Sequence, residues 1–188
     1  MSEARPIPPR PGPGAGAARL AEILRVDHAG ELGAVWIYRG QRAVLAGARG
    51  RTELKARLAH TEAAEARHLT RFESLVVDEA VRPTLLAPLW RAAGFALGAG
   101  TALLGEGAIH ACTEAVESVI EGHYAGQIAE LAETRPALAA ELAAFRGEEV
   151  AHRDEAAALR AGRAPGLGML GQVIRLGCRA AIRLSERL

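Results

Sequence analysis

Glutamate and histidine stand three residues apart twice in this chain, as Glu65 with His68 and as Glu149 with His152. Each pair has a lone glutamate upstream at nearly the same distance: Glu31 precedes Glu65 by 34 residues and Glu117 precedes Glu149 by 32. Residues three and four apart share one face of a helix, so the matched sets constrain the fold. They require four helices that bring acidic and imidazole side chains to a common level.

Composition agrees with helices. Alanine, leucine, arginine and glutamate dominate and aromatic residues are only 4% of the chain, which favours helix over sheet. An all-α fold follows, and 188 residues suffice for one domain with its own core. The formal charge of +1 supplies no global attraction to nucleic acid. Cys112 and Cys178 have no metal-like spacing, so no disulfide framework is expected and a reducing compartment is the simpler setting. Residues 1–18, rich in Pro and Gly and without a continuous apolar run, read as a flexible tail rather than a signal peptide, leaving 19–188 as the folded domain.

Periodicity places helices at about Arg19–Ala46 and Thr52–Val77, then at Gly107–Glu133 and Pro136–Arg160, with a last helix from Leu170 to the end. Between the two pairs lies an apolar stretch, Leu85 to Leu104, whose only formal charge is Arg91. Its length approaches a membrane span, but Pro88, Arg91, Gly94, Gly98 and Gly100 argue for a helix that is either buried or inserted shallowly.

The glutamates and histidines fall on the apolar stripes of these helices. In the second helix the stripe reads Leu54, Leu58, Thr61, Glu65, His68, Phe72 and Leu75; in the fifth, Leu138, Leu142, Phe145, Glu149, His152, Ala156 and Leu159. Glu31 continues Leu20, Leu24 and Asp27 toward Val35 and Tyr38, and Glu117 continues Ile109 and Thr113 toward Ile120 and Tyr124. Burying one unpaired carboxylate costs on the order of several kcal/mol, so four facing a core need protons or cations. Two divalent metals resolve this, and oxygen-rich ligation with limited imidazole suits iron or manganese better than a structural zinc.

Neighbouring residues leave alternatives. Glu62, Glu114 or Glu148 could replace a nominated ligand. Asp27 either accepts a proton from the outer nitrogen of a ligating histidine or pairs with an arginine on the helix surface. His123 and Tyr124 either contact substrate or relay protons, or are a surface histidine and a hydrogen-bonded core tyrosine. His28, His60 and His110 have no matching set and read as ordinary polar residues.

Four stretches carry a more specific signal: RVDHAGE at Arg25–Glu31, RPTLLAPLW at Arg82–Trp90, GFALGAGTALLG at Gly94–Gly105 and GCRAAIRLSERL at Gly177–Leu188. Through them the chain, from about Leu24 to Leu188, resembles the demethoxyubiquinone hydroxylases, di-iron monooxygenases of ubiquinone biosynthesis. It departs from that pattern at Leu32, where a tyrosine is expected, and at Gly122. The resemblance implies a ferritin-like four-helix bundle with an apolar inserted helix and an additional C-terminal helix. It implies Glu31, Glu65, His68, Glu117, Glu149 and His152 as ligands of two iron ions, with Glu65 and Glu117 bridging and no catalytic residue beyond the ligands. Dioxygen would be co-substrate, and electrons would come ultimately from NADH.

The implied substrate is a polyprenyl benzoquinol, 2-polyprenyl-3-methyl-6-methoxy-1,4-benzoquinol, hydroxylated on its ring. A lipid-soluble tail gives the apolar insert a purpose. Arg175, Arg179, Arg183 and Arg187 recur every four residues on the last helix, either as a basic face on anionic lipid or as a plain solvated face. The expected placement is peripheral, on the cytoplasmic face of a bacterial inner membrane or on the matrix face of the mitochondrial inner membrane. A lipid-binding accessory protein of ubiquinone biosynthesis and a second copy of the chain are further candidate partners. The competing class is a ferritin-like ferroxidase or iron-storage protein, which the apolar insert disfavours.

Overall fold

The computed structural model describes residues 15–160 and 166–188. Six helices follow in order: α1 (Ala15–Leu45), α2 (Thr52–Asp78), α3 (Ala87–Leu104), α4 (Glu106–Leu131), α5 (Pro136–Arg160) and α6 (Leu167–Ser185). There is no strand among the described residues. Of the tail expected over residues 1–18, the first 14 lie outside the described residues; from Ala15 the chain is already in α1.

The long helices α1, α2, α4 and α5 make a four-helix bundle, with α1 packed on α2 and α4 on α5. The stripe read on α2 is buried throughout, Leu54 to Leu75. Two apolar clusters fill the bundle at different levels. One gathers Leu24, Phe72, Tyr124 and Leu142; the other gathers Tyr38, Leu45, Leu58 and Ile109. Glu31, Glu65 and Glu117 come between these levels in sequence on α1, α2 and α4, and all four glutamates, Glu149 of α5 included, are 0–2% exposed.

The apolar insert becomes α3, which lies along α1 rather than inside the bundle. Two of its glycines, Gly94 and Gly98, are contact surface, not only punctuation. A Cβ on Gly98 would meet the Ile37 carbonyl oxygen at 1.9 Å, and one on Gly40 would meet the Phe95 carbonyl at 2.3 Å. Only glycine permits that approach of two helix backbones. The opposite face of α3 leaves Leu89, Phe95, Leu103 and Leu104 exposed. Helix α6 crosses α4 and α1, and it too turns apolar side chains outward, Met169, Val173, Leu176 and Leu184. Its outer face is therefore mixed, with Arg179, Arg183 and Arg187 exposed beside them. No described helix is long and apolar enough to cross a membrane.

The end of α6 is clasped to the α2–α3 connection. Leu85 N–H donates to the Leu188 carbonyl at 3.1 Å, and Trp90 Nε1 donates to Ser185 Oγ at 3.0 Å. Arg25 reaches across from α1 to the carbonyls of Arg82 and Glu186, both at 3.2 Å.

Candidate metal centre and apolar groove

The six residues nominated from the sequence come together in the bundle core. Glu31, Glu65, His68 and Glu149 offer ligand atoms within 4.8 Å of one another, and so do Glu65, Glu117, Glu149 and His152. The groups share Glu65 and Glu149. The expected bridging pair was Glu65 and Glu117; by the spacing of ligand atoms it is Glu149, rather than Glu117, that belongs with Glu65 to both groups. The Glu-x-x-His helices α2 and α5 point their glutamates at the midpoint, while Glu31 and Glu117 belong to one group each. His68 Nδ1 stands 3.0 Å from Glu149 and 3.7 Å from Glu31; His152 Nδ1 stands 3.3 Å from Glu65 and 3.4 Å from Glu149.

Unaided, such a cluster is electrostatically poor. Burial, then mutual repulsion, raises Glu65 and Glu117 well above the usual carboxylate range, and burial likewise raises Glu31. Burial also works against the charge of Glu149, but His152 and His68 outweigh it and bring the group down to about 2. His68 is the counterpart: burial disfavours its cation, yet Glu149 and Glu31 push it up to about 11. Protons on the imidazoles thus occupy the role that metal cations would take. Both oxygens of Glu65 and of Glu149, one each of Glu31 and Glu117, both nitrogens of His68 and Nδ1 of His152 have no hydrogen-bond partner. Native interiors rarely leave so many buried polar atoms unpaired. Two divalent ions fit this donor set.

The outer glutamates are held by crossed tyrosines. Tyr124 of α4 donates to Glu31 of α1 at 2.5 Å, and Tyr38 of α1 donates to Glu117 of α4 at 3.1 Å. Each tyrosine sits seven residues beyond the glutamate of its own helix and bonds the glutamate of the other. That spacing was present in the sequence, but the crossing was not.

Asp27 takes neither position foreseen for it. It is buried, accepts a hydrogen bond from Gln127 Nε2 at 2.7 Å, and has His123 Nε2 at 3.8 Å, so it faces no histidine of the cluster. The carboxylate beside a cluster histidine is Glu148, 3.4 Å from His68 Nε2 and 3.3 Å from Arg67. Glu62 pairs with Arg39 and Arg42, and Glu114 with Arg160, so these two point away. His28 and His110 are buried, and His60 is exposed.

Between α1 and α4 on one side and α3 and α6 on the other runs a groove of about 380 Å³. Gly30, Ala34, Val116 and Ile120 lie on its floor within three residues of Glu31 or Glu117; Leu97, Val173 and Ile182 lie on its roof. Its lining is almost wholly apolar, and Trp90 and Ser185, joined by the clasp, also border it.

Residues 18–185 match the family described as ubiquinone biosynthesis protein COQ7. The chain belongs to that family. Among its relatives is a 3-demethoxyubiquinol 3-hydroxylase of Rhodospirillum rubrum, 49% identical over 179 residues that cover 95% of this chain and 82% of that one. A human relative, named NADPH-dependent 3-demethoxyubiquinone 3-hydroxylase, mitochondrial, is 48% identical over 175 residues, covering 91% and 79%. The 5-demethoxyubiquinone hydroxylase of Saccharomyces cerevisiae is 41% identical over 187 residues, covering 92% and 79%.

In this member of the family the four motif stretches surround the site. RVDHAGE supplies Arg25 to the clasp and Glu31 to the cluster; RPTLLAPLW and the terminal stretch are the clasp's two halves; the glycine-rich stretch is α3 against α1.

Proposed function

We propose that the chain hydroxylates the ring of a demethoxyubiquinol at a dimetal centre held by Glu31, Glu65, His68, Glu117, Glu149 and His152. The observation that carries this reading is the placement of the apolar groove directly behind Glu31 and Glu117. A storage protein has no use for such a groove, so the ferroxidase alternative is disfavoured. Iron, the expected metal, would supply the reductive activation of dioxygen that ring hydroxylation needs.

The protein's own residues do the rest. Gly30 and Ala34 leave space for a flat ring beside the cluster, and the groove excludes water around it. Tyr124 and Tyr38 fix the outer carboxylates, each hydroxyl proton being held on a glutamate oxygen. Gln127 fixes Asp27, whose carboxyl burial raises well above the usual range, at the Tyr124 end of the cluster. His123 borders that layer through Asp27, 3.8 Å from its Nε2, and is not among the residues that line the groove.

Electrons are supplied by a reduced nicotinamide nucleotide. NADH was the sequence expectation, and the NADPH in the human relative's name makes both nucleotides the pair to compare. The exposed apolar residues of α3 and α6, with Arg179 and Arg183 beside them, support a peripheral seat on a membrane. Within this reading the seat is the cytoplasmic face of a bacterial inner membrane or the matrix face of the mitochondrial inner membrane, the human relative's name carrying the word mitochondrial. An accessory lipid-binding protein or a second copy would use the same faces.

The test is an anaerobic incubation of iron-loaded protein with a demethoxyquinol, followed by dioxygen. Product heavier by a single oxygen atom is expected. Full iron occupancy without that product would overturn the reading.

A further inference from the structure

The two histidines of the cluster are not equivalent. His68 is sealed: its side chain is 2% exposed, its ring lies 4.3 Å from that of Phe145, and its outer nitrogen has Glu148 beside it. His152 keeps 13% exposure, and among the described residues no carboxylate from outside the cluster pairs with it. A histidine that binds metal through one nitrogen almost always donates its other N–H to a carboxylate, a carbonyl or a water. His152 lacks the carboxylate.

What lies beside it is a second cavity, separate from the groove. It measures about 20 Å³ and is lined by Tyr38, Thr61, Thr113 and His152, with Arg57 and Glu155 toward the surface. That volume holds one water, since roughly 10–15 Å³ is the minimum, and a buried water needs two to four polar partners. They are present. The Thr113 hydroxyl lies 3.5 Å from Tyr38 Oη, and Thr61 Oγ1 donates to the Arg57 carbonyl at 3.2 Å, which leaves its lone pairs to accept. Arg57 and Glu155, paired at 2.8 Å with Glu155 half exposed, stand between this space and solvent.

We infer that this cavity is a water site which accepts the outer N–H of His152, where His68 instead has the Glu148 carboxylate 3.4 Å from its outer nitrogen, and through which the cluster exchanges water and protons with solvent. The inference rests on the dimetal reading above. Ring hydroxylation gives one oxygen atom of dioxygen to the substrate and releases the other as water, consuming two protons and the two electrons that the nicotinamide nucleotide supplies. The groove is apolar and carries no chain of polar groups for that traffic. The cavity borders Tyr38, which holds Glu117, and shares no lining residue with the groove.

The experiment uses the full chain loaded with Co(II), whose paramagnetism shifts the ring N–H protons of ligating histidines out of the proton NMR envelope. Two such signals are expected. After transfer to D2O one should exchange rapidly and the other slowly, and Glu148→Gln should move only the slow one. Ala156→Leu, which fills the cavity, should slow the fast signal and weaken Co(II) binding by roughly tenfold, the low end for loss of an outer partner. Thr61→Val, a smaller change, provides the same reading if Ala156→Leu does not fold. Equal exchange of both signals, or a fast signal untouched by either cavity variant, would overturn the inference alone. Absence of shifted ring signals after Co(II) addition would overturn the ligand assignment and this inference with it.

Discussion

Where α2 faces α5, the bundle is stitched by Arg57 to Glu155, Arg67 to Glu148 and Arg71 to Glu141; where α1 faces α4, it shows glycine, alanine and valine roofed by α3 and α6. Both seams border the same carboxylate cluster. The polar seam draws its closure from exposed charge pairs, each worth no more than about 1 kcal/mol, so it needs several. The apolar seam spends surface that would otherwise be packed, and gains a place for a hydrophobic molecule. A bundle that only stored metal could have closed both.

The largest effect should come from the centre both seams share. Glu149→Ala removes the ligand common to the two groups, and metal titration should show affinity falling by more than about 100-fold, beyond the range for outer partners. Retention of both ions would break the cluster assignment. On the apolar side, Leu97→Ala enlarges the groove and should raise KM for the quinol about tenfold, the scale of lost apolar contact in a pocket. Iron content, measured in parallel, should be unchanged; a matching loss of iron would erase the distinction between groove and cluster.

Tyr124→Phe tests the join between the two, because it frees Glu31 without altering the apolar lining. Metal affinity should drop roughly tenfold while the fold is kept, and a change in quinol KM alone would move Tyr124 from cluster to groove. The smallest effect belongs to the polar seam. Arg71→Ala should lower Tm by only about 2–4 °C, the equivalent of roughly 1 kcal/mol in a chain of this size. A much larger loss would show that the seam's pairs act as a network.

Much of this was legible from periodicity, since a helix that buries a glutamate must place it on its apolar stripe. Helix α5 begins at Pro136 and ends at Arg160 as read, and the α2 stripe is buried residue for residue. What periodicity does not carry is which residue of another helix stands opposite. Glu148 adjoins Glu149 in sequence yet meets His68 across the bundle, whereas Asp27, one turn from Glu31, turns to Gln127 instead. For the same reason Glu149 could not be told from Glu117 as the shared carboxylate. Gly94 and Gly98 of α3 read as interruptions because their purpose, backbone contact with α1, lies on a different helix.

The chain contains two tyrosines, and both touch the cluster. Any optical or radical signal characteristic of a phenol therefore originates within hydrogen-bonding distance of the candidate metals, with no surface tyrosine to dilute it. Burial raises both hydroxyls well above the ordinary phenol range, so neither should ionise until strongly alkaline pH. Ultraviolet difference spectra recorded during metal titration would report directly on Glu31 and Glu117 without a label, and Tyr124→Phe would assign the two contributions.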